Sequence, residues 1–158
     1  MDHDARSEDP QERRAAAAAE ASARTGIDEA MIHRLVHGFY DKVREDAVLG
    51  PIFAARISDW EPHLARMCAF WSSVTLKTGH YHGRPMQKHA PLPVDACHFD
   101  HWVALFSATA RELCPPVAAA HFIERAQMIA DSLELGIATH RGLLLAKGER
   151  LPAATGLG

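Results

Sequence analysis

The sequence predicts an all-α protein, and two observations on its apolar residues support this. Large apolar side chains recur three, four and seven residues apart in four separate stretches, which is the spacing of one helix face. Apolar and polar residues do not alternate over any run long enough for a strand. Hydrophobic residues make up 47% of the 158 residues, which is sufficient for one globular domain with a real core.

The sequence predicts a tail at each end of a single folded domain. Residues 1–25 form the first tail, disordered or loosely helical, because five consecutive alanines favour a helix but offer nothing large to bury. The folded domain covers residues 26–147. The last segment, residues 148–158, is expected to be a frayed C-terminal tail beyond the final apolar stripe.

Two helices are predicted in the first half of the domain. Asp28 is a good N-cap and starts the first helix. The pair 50–51, Gly-Pro, marks a turn and precedes a short single-turn connection. The second helix follows Asp59 or Trp60, carries Pro62 in its first turn, and runs to about Lys77.

The second half contains a pocket-forming loop and two long helices. A glycine-broken loop, residues 78–84, leads into a short proline-started segment over residues 85–90. A long helix then covers residues 95–113, with an aspartate as its N-cap. The final helix covers residues 115–142, from a Pro-Pro pair to a glycine.

Charge and cysteine content exclude several classes of partner. The net charge of −3 comes from the acidic first residues, so positive and negative charges balance in the rest of the chain. The sequence therefore shows no basic patch for binding nucleic acid or an anionic membrane. No apolar run reaches membrane-spanning length, and the N-terminus does not look like a secretory signal. Three cysteines without a CxxC pair fit a reducing compartment. We therefore expect a cytoplasmic protein that is a monomer or weak oligomer.

Two histidines stand in contrasting settings within one stretch. His63 lies on an apolar helix face, and His89 closes the proline-started segment. Imidazole is the commonest protein ligand for a metal. A flat cofactor with a central iron needs a ligand on one side and a controlled polar group on the other, and this stretch holds both. Taken alone, a histidine on an apolar face is more often a core residue with a satisfied hydrogen bond.

Five motifs follow one another in a fixed order: FYxxVRxD from Phe39, LGPIF from Leu49, FWSS from Phe70, TGxYxGxPMxxHxxL from Thr78 and FxxWxxLF from Phe99. This series resembles the group III truncated haemoglobins over roughly residues 27–145. The resemblance implies a truncated globin fold, with helices packed two-over-two around a haem.

The resemblance also implies a cofactor and its metal ligand. It points to haem b, iron protoporphyrin IX, with His89 as the ligand to the iron. No CxxCH motif is present, so the haem would be held non-covalently. The other ring nitrogen of such a ligand needs a hydrogen-bond partner, and a backbone carbonyl in the preceding turn is the expected one.

Three residues are expected on the opposite side of the haem, where ligands bind: Tyr40, His63 and Trp102. Donors aimed at a ligand with partial negative charge stabilise it in a dry pocket. Tyr40 offers an O–H and Trp102 an indole N–H. Periodicity alone favours plain core packing for both, whereas the resemblance places them in the pocket. His63 is a gate, a donor or a sixth iron ligand.

The remaining cofactor-binding predictions also follow from the resemblance. Phe53 is similar to an aromatic residue that packs flat against the porphyrin. Tyr81 and Arg84 flank the short segment and are assigned to the haem propionates, with solvent exposure as the alternative. Six further residues are assigned to pocket walls, with plain core as the alternative: Met67, Phe70, Trp71, Met86, Phe99 and Phe106.

The implied function is binding of O₂ and other small ligands, namely NO, CO and peroxide. Several distal donors slow O₂ release, which favours redox or NO/O₂ detoxification chemistry over bulk delivery. NO dioxygenase or peroxidase-like activity would need an external electron donor, because the chain has no GxGxxG motif and no room for a flavin domain. The alternative is a non-haem helical bundle that uses histidines for metal or partner binding and has a packed interior.

Overall fold

The computed structural model describes residues 9–89 and 91–153, and these form seven helices with no strand. The predicted all-α class is therefore confirmed. The helices are α1 (Pro10–Thr25), α2 (Glu29–Glu45), α3 (Leu49–Ala54), α4 (Trp60–Leu76), α5 (Pro85–His89), α6 (Ala96–Leu113) and α7 (Pro116–His140). No helix in these ranges is both long enough and apolar enough to cross a membrane.

Aspartates start three of the helices, as the sequence predicts. The Asp28 carboxylate accepts a hydrogen bond from the amide of Met31 at 2.8 Å. Asp59 opens α4 in the same manner. At α6 the capping is reciprocal. The Asp95 side chain accepts hydrogen bonds from amides of the first turn, and the His98 ring accepts a hydrogen bond from the Asp95 amide at 3.1 Å. Each cap satisfies amides that lack a partner within the helix.

Two helix pairs form the body, with α2 packed on α4 and α6 packed along α7. Their shared core is aromatic. Phe106 of α6 lies parallel to Trp71 at 4.9 Å between ring centroids and to Trp102 at 5.4 Å, and Phe39 meets its edge at 5.2 Å. Stacked and edge-to-face rings bury large areas with defined geometry. This core joins α2, α4 and α6.

The N-terminal segment is a regular helix within the described residues. Helix α1 packs on α4 and α7, and Ala21 is only 3% exposed within the main core. Gly26 ends the helix with a left-handed φ of 74°. Alanines lack bulk to bury, but their small size lets two helix backbones approach closely. The boundary at residue 25 between the N-terminal tail and the folded domain remains a prediction.

Ala21→Asp is expected to lower the free energy of unfolding by roughly 1–3 kcal/mol, because it places a polar group where α1 contacts the body. Ala19→Asp is the matched control, since Ala19 is exposed on the same helix. Thermal unfolding by circular dichroism measures both variants. Equal melting temperatures for the two would show that α1 contributes nothing to the stability of the domain.

Residues 148–153, the described part of the predicted C-terminal tail, are held against α7 and are not frayed, while residues 154–158 lie outside the described residues. Leu151 is 2% exposed, and its amide donates to the Glu134 carboxylate of α7 at 2.9 Å. Arg150 Nε donates to the same carboxylate at 2.8 Å. The residues bonded in these two contacts lie 16 and 17 positions apart in the sequence. Helical spacing relates only residues within a few positions of one another, so it could not predict these contacts.

Candidate functional site

A cavity of about 450 Å³ lies among the helices, with walls from α2, α3, α4, α5, α6 and α7. Its walls are mainly apolar and aromatic, the usual composition of a small-molecule or cofactor site. Most of the side chains that the sequence assigned to a site line this cavity: Tyr40, Phe53, His63, Met67, Phe70, Trp71, Tyr81, His89, Phe99 and Trp102.

His89 has one ring nitrogen satisfied, and the other has no hydrogen-bond partner among the described residues. Its Nδ1 lies 2.6 Å from the carbonyl oxygen of Pro85, one turn earlier in α5. A carbonyl oxygen only accepts, so the proton is assigned to Nδ1 and Nε2 keeps its lone pair. The expected backbone partner is therefore present. A neutral imidazole oriented in this way at a cavity wall is the arrangement of a metal ligand.

His63 contributes a buried polar atom to the same cavity. Its Nε2 has no hydrogen-bond partner among the described residues. Burial in the first place, and then the nearby charges of Arg66, Lys88 and His89, lower the pKa of this ring to about 4. The imidazole is thus neutral near pH 7. An unsatisfied buried polar atom costs roughly 1–3 kcal/mol, which a polar group in the cavity would offset.

Tyr40 is a buried phenol beside His63. The two rings meet edge to face with centroids 5.1 Å apart, and Phe53 meets Tyr40 at 5.8 Å. Burial raises the pKa of Tyr40, and the nearby Cys68 adds to this effect. The phenol therefore remains protonated at physiological pH and can donate a hydrogen bond.

Trp102 is both a core residue and a cavity residue. It packs against Phe39 edge to face at 5.6 Å and also lines the cavity. The two alternatives weighed for it, core packing and pocket, are therefore not exclusive. The core contacts restrict the orientation of the indole, and a restricted donor loses little entropy when a ligand binds.

Three predicted cofactor-binding residues do not line the cavity. Phe106 lies in the aromatic core, because its position seven residues after Phe99 carries it about 10 Å further along α6. Met86 packs against α7 at Gly136, where a Cβ atom would overlap its side chain. Arg84 is exposed on the loop before α5. The structure does not bring these three to the site.

Three cations at the cavity were missed by the sequence analysis: Arg56, Arg66 and Lys88. Arg66 follows His63 by three residues on α4, so helical spacing was a signal that could have found it. Arg56 lies after α3, and its guanidinium donates to the carbonyl of Pro91 at 3.4 Å. Only the tertiary structure brings it to the cavity.

The sequence analysis also did not assign Trp60 to the site. Its ring packs against Tyr40 at 5.9 Å and against His63 at 5.7 Å. The Arg44 guanidinium lies over its other side, 4.8 Å from the ring centroid. Trp60 thus supports the two polar rings from behind.

The geometry bears on the alternative of a non-haem bundle. That alternative predicts a packed interior, whereas a sizeable cavity separates the helices. Within residues 9–89 and 91–153, no three side chains of histidine, cysteine, aspartate or glutamate are grouped to hold a metal ion. Imidazoles at the wall of an apolar cavity, without a cluster of three ligands, instead suit a metal that arrives within a larger cofactor.

An all-α fold built around such a cavity, with the His63 and His89 rings at its wall, is the arrangement expected of a globin. The chain matches the bacterial-like globin family over residues 24–133. It is 34% identical to the Group 3 truncated hemoglobin ctb of Campylobacter jejuni over 113 residues, which cover 68% of this chain and 89% of that one. The chain belongs to the group III truncated haemoglobins, and the resemblance in the motifs is confirmed.

Solved structures agree with this assignment. The crystal structure of group III truncated hemoglobin from Campylobacter jejuni superposes with a TM-score of 0.64 at 32% identity, covering 75% of this chain and 92% of that one. A hemoglobin from the thermophilic phototrophic bacterium Chloroflexus aurantiacus gives a TM-score of 0.59 at 23% identity, covering 72% and 95%. The second likeness supports the fold alone.

Proposed function

We propose that this protein binds haem b non-covalently in the cavity, with His89 as the iron ligand, and handles O₂ and other small ligands there. The observation that carries the proposal is the His89 ring, whose Nδ1–H bonds to the Pro85 carbonyl and whose Nε2 is left free. Membership of the globin family supports the cofactor. Covalent attachment is not proposed, since the chain has no CxxCH motif.

The remaining donors fit such a cofactor. Aromatic and aliphatic walls suit a flat macrocycle. Arg56, Arg66 and Lys88 are cations at the cavity and would pair with the propionate carboxylates, a role the sequence analysis gave to Arg84. Tyr81 lines the cavity and keeps its proposed place beside them. Charge-assisted hydrogen bonds of this type hold a carboxylate more strongly than neutral donors do.

Tyr40, His63 and Trp102 would control what binds. The iron of a bound haem would supply a coordination site for O₂, NO, CO or peroxide. The protonated Tyr40 phenol and the Trp102 indole then donate hydrogen bonds into a site with few competing waters. The neutral His63 ring holds one proton and one lone pair, so its Nε2 donates or accepts according to the tautomer. These groups favour ligands that carry partial negative charge.

Slow release of such ligands favours redox or NO/O₂ detoxification over bulk O₂ delivery. The enzymatic form of this proposal is NO dioxygenase or peroxidase-like activity with electrons from an external reductase. A cytoplasmic location and a monomeric or weakly associated state complete the proposal, supported by three sparse cysteines and a balanced body charge.

Titration of the purified apoprotein with haemin tests the proposed function. We expect a Soret band that saturates near one haem per chain. A protein that stays colourless after titration would instead support the non-haem helical bundle.

His63→Ala is expected to leave haem content unchanged and to alter ligand kinetics or the spin state of the iron. The reason is that His63 brings an unpartnered ring nitrogen to the cavity but is not the proposed iron ligand. Stopped-flow ligand binding and the visible spectrum measure this. His140→Ala is the control, because His140 is exposed at the end of α7. Identical kinetics in the two variants would remove His63 from the ligand site.

A further inference from the structure

Leu151 belongs to a small hydrophobic cluster that is separate from the main core. It packs there with Val94, Ile137 and Ala138, all of them buried. The partly buried members Ile52, Leu92, Phe99 and Leu145 pack against this cluster. Four residues of this group also line the cavity: Ile52, Leu92, Val94 and Phe99. Leu151 therefore supports the cavity wall from behind.

Polar contacts fix Leu151 in this place. The Glu134 carboxylate is only 5% exposed and accepts a hydrogen bond from the Leu151 amide at 2.9 Å. It also accepts hydrogen bonds from two Arg150 nitrogens, at 2.8 and 3.0 Å. The Leu151 carbonyl accepts the amide of Ala96, the first residue of α6, at 3.0 Å. Arg150 also pairs with Asp100 of α6 at 2.7 Å. The segment thus joins α6 to α7, and we call residues 148–153 the C-terminal strap.

A chain of contacts runs from the strap to His89. The Leu92 amide donates to the His89 carbonyl at 3.0 Å, and the Leu92 carbonyl accepts a hydrogen bond from Arg141, the residue after α7, at 2.9 Å. The Leu92 side chain packs against the cluster that contains Leu151. Displacement of the cluster would therefore move the backbone that follows His89.

Helix α5 depends on such outside support. It has five residues, and a helix this short is not stable by itself in water. The His89 ring is oriented by the Pro85 carbonyl within that same turn. The position of the ring is therefore determined by what packs on either side of α5.

We propose that the C-terminal strap positions His89, with Leu151 as the positioning residue. This inference rests on the proposed function, because it concerns the imidazole assigned there as the iron ligand. The strap keeps Leu92 and Val94 in place, and these keep the turn that carries His89 at the cavity wall. Loosening the strap would weaken haem retention and change the iron–imidazole bond without touching the cofactor.

Leu151→Ala tests the proposal, with Leu144→Ala as the matched control because Leu144 is 93% exposed in the same C-terminal region. Haem loss is followed by transfer to an excess of an apoglobin acceptor. The iron–histidine stretching band is recorded by resonance Raman on the ferrous protein. We expect haem loss to speed up by roughly fivefold or more in Leu151→Ala, equivalent to about 1 kcal/mol. The stretching band should shift or broaden, and Leu144→Ala should match the wild type.

Arg150→Ala provides a second variant that leaves the core intact. It removes the ion pairs to Glu134 and Asp100 but keeps the leucine, so a smaller change in the same direction is expected. If Leu151→Ala only lowers thermal stability, with haem loss and the stretching band unchanged, the strap is structural and the inference is overturned. A wild-type protein that takes up no haem would instead overturn the proposed function and this inference with it.

Discussion

Haem binding is expected to be lost when His89 is replaced by alanine. The Nε2 of this ring is the nitrogen proposed to hold the haem iron, and α5 carries no second histidine. Partners that merely orient a metal-ligating histidine are worth 10–100-fold in affinity, so removal of the ligand itself should weaken retention by more than about 100-fold. Haem transfer to an apoglobin acceptor measures the loss.

His82→Ala is the control for this experiment, since His82 is exposed in the loop before α5. Added imidazole should partly restore haem uptake in His89→Ala, because it supplies the missing nitrogen while the cavity walls remain. If His89→Ala retained a full complement of haem with an unchanged ferrous spectrum, the iron ligand would have to be another residue.

The second large effect is expected on O₂ release. Tyr40→Phe and Trp102→Phe each remove a hydrogen-bond donor from the cavity but keep an aromatic ring in the core. A neutral hydrogen bond is worth about 1 kcal/mol net, and about 1.4 kcal/mol corresponds to a factor of ten. Release should therefore speed up by roughly fivefold to tenfold or more in each variant.

Stopped-flow measurement of O₂ release from the ferrous proteins tests this prediction. The double variant should be non-additive, because both donors would address one ligand. His140→Ala is again the control, because His140 is exposed at the end of α7 and does not line the cavity. Fast release from the wild type, unchanged in both single variants, would argue for simple O₂ carriage and against detoxification chemistry.

The local signals in the sequence were the dependable ones. Apolar spacing and aspartate caps predicted the starts of α2, α4 and α6 because the forces involved act within one or two turns. The Nδ1 partner of His89 was predictable for the same reason, since Pro85 lies only four residues away. The ordered series of motifs then identified the family.

For contacts between residues that are distant along the chain, the sequence patterns were absent or misleading. Periodicity places Phe99, Trp102 and Phe106 on one face of α6, yet the face is longer than the cavity and Phe106 falls in the core. Arg84 precedes the His89 turn in sequence but does not line the cavity, whereas Arg56 reaches the cavity from the segment after α3. Proximity in sequence does not measure proximity across a helix packing interface.

The sequence by itself therefore determined the helical class, the main helix starts and the family, along with ten of the 24 residues that line the cavity. The tertiary structure decided which side chains reach the cavity, how α1 packs through Ala21, and how Leu151 supports the wall near His89. The physical reason is the range of the interactions. Helix caps and apolar stripes depend on residues a few positions apart, so the sequence shows them directly. The Glu134 contacts and the cavity form only when α6 and α7 pack together.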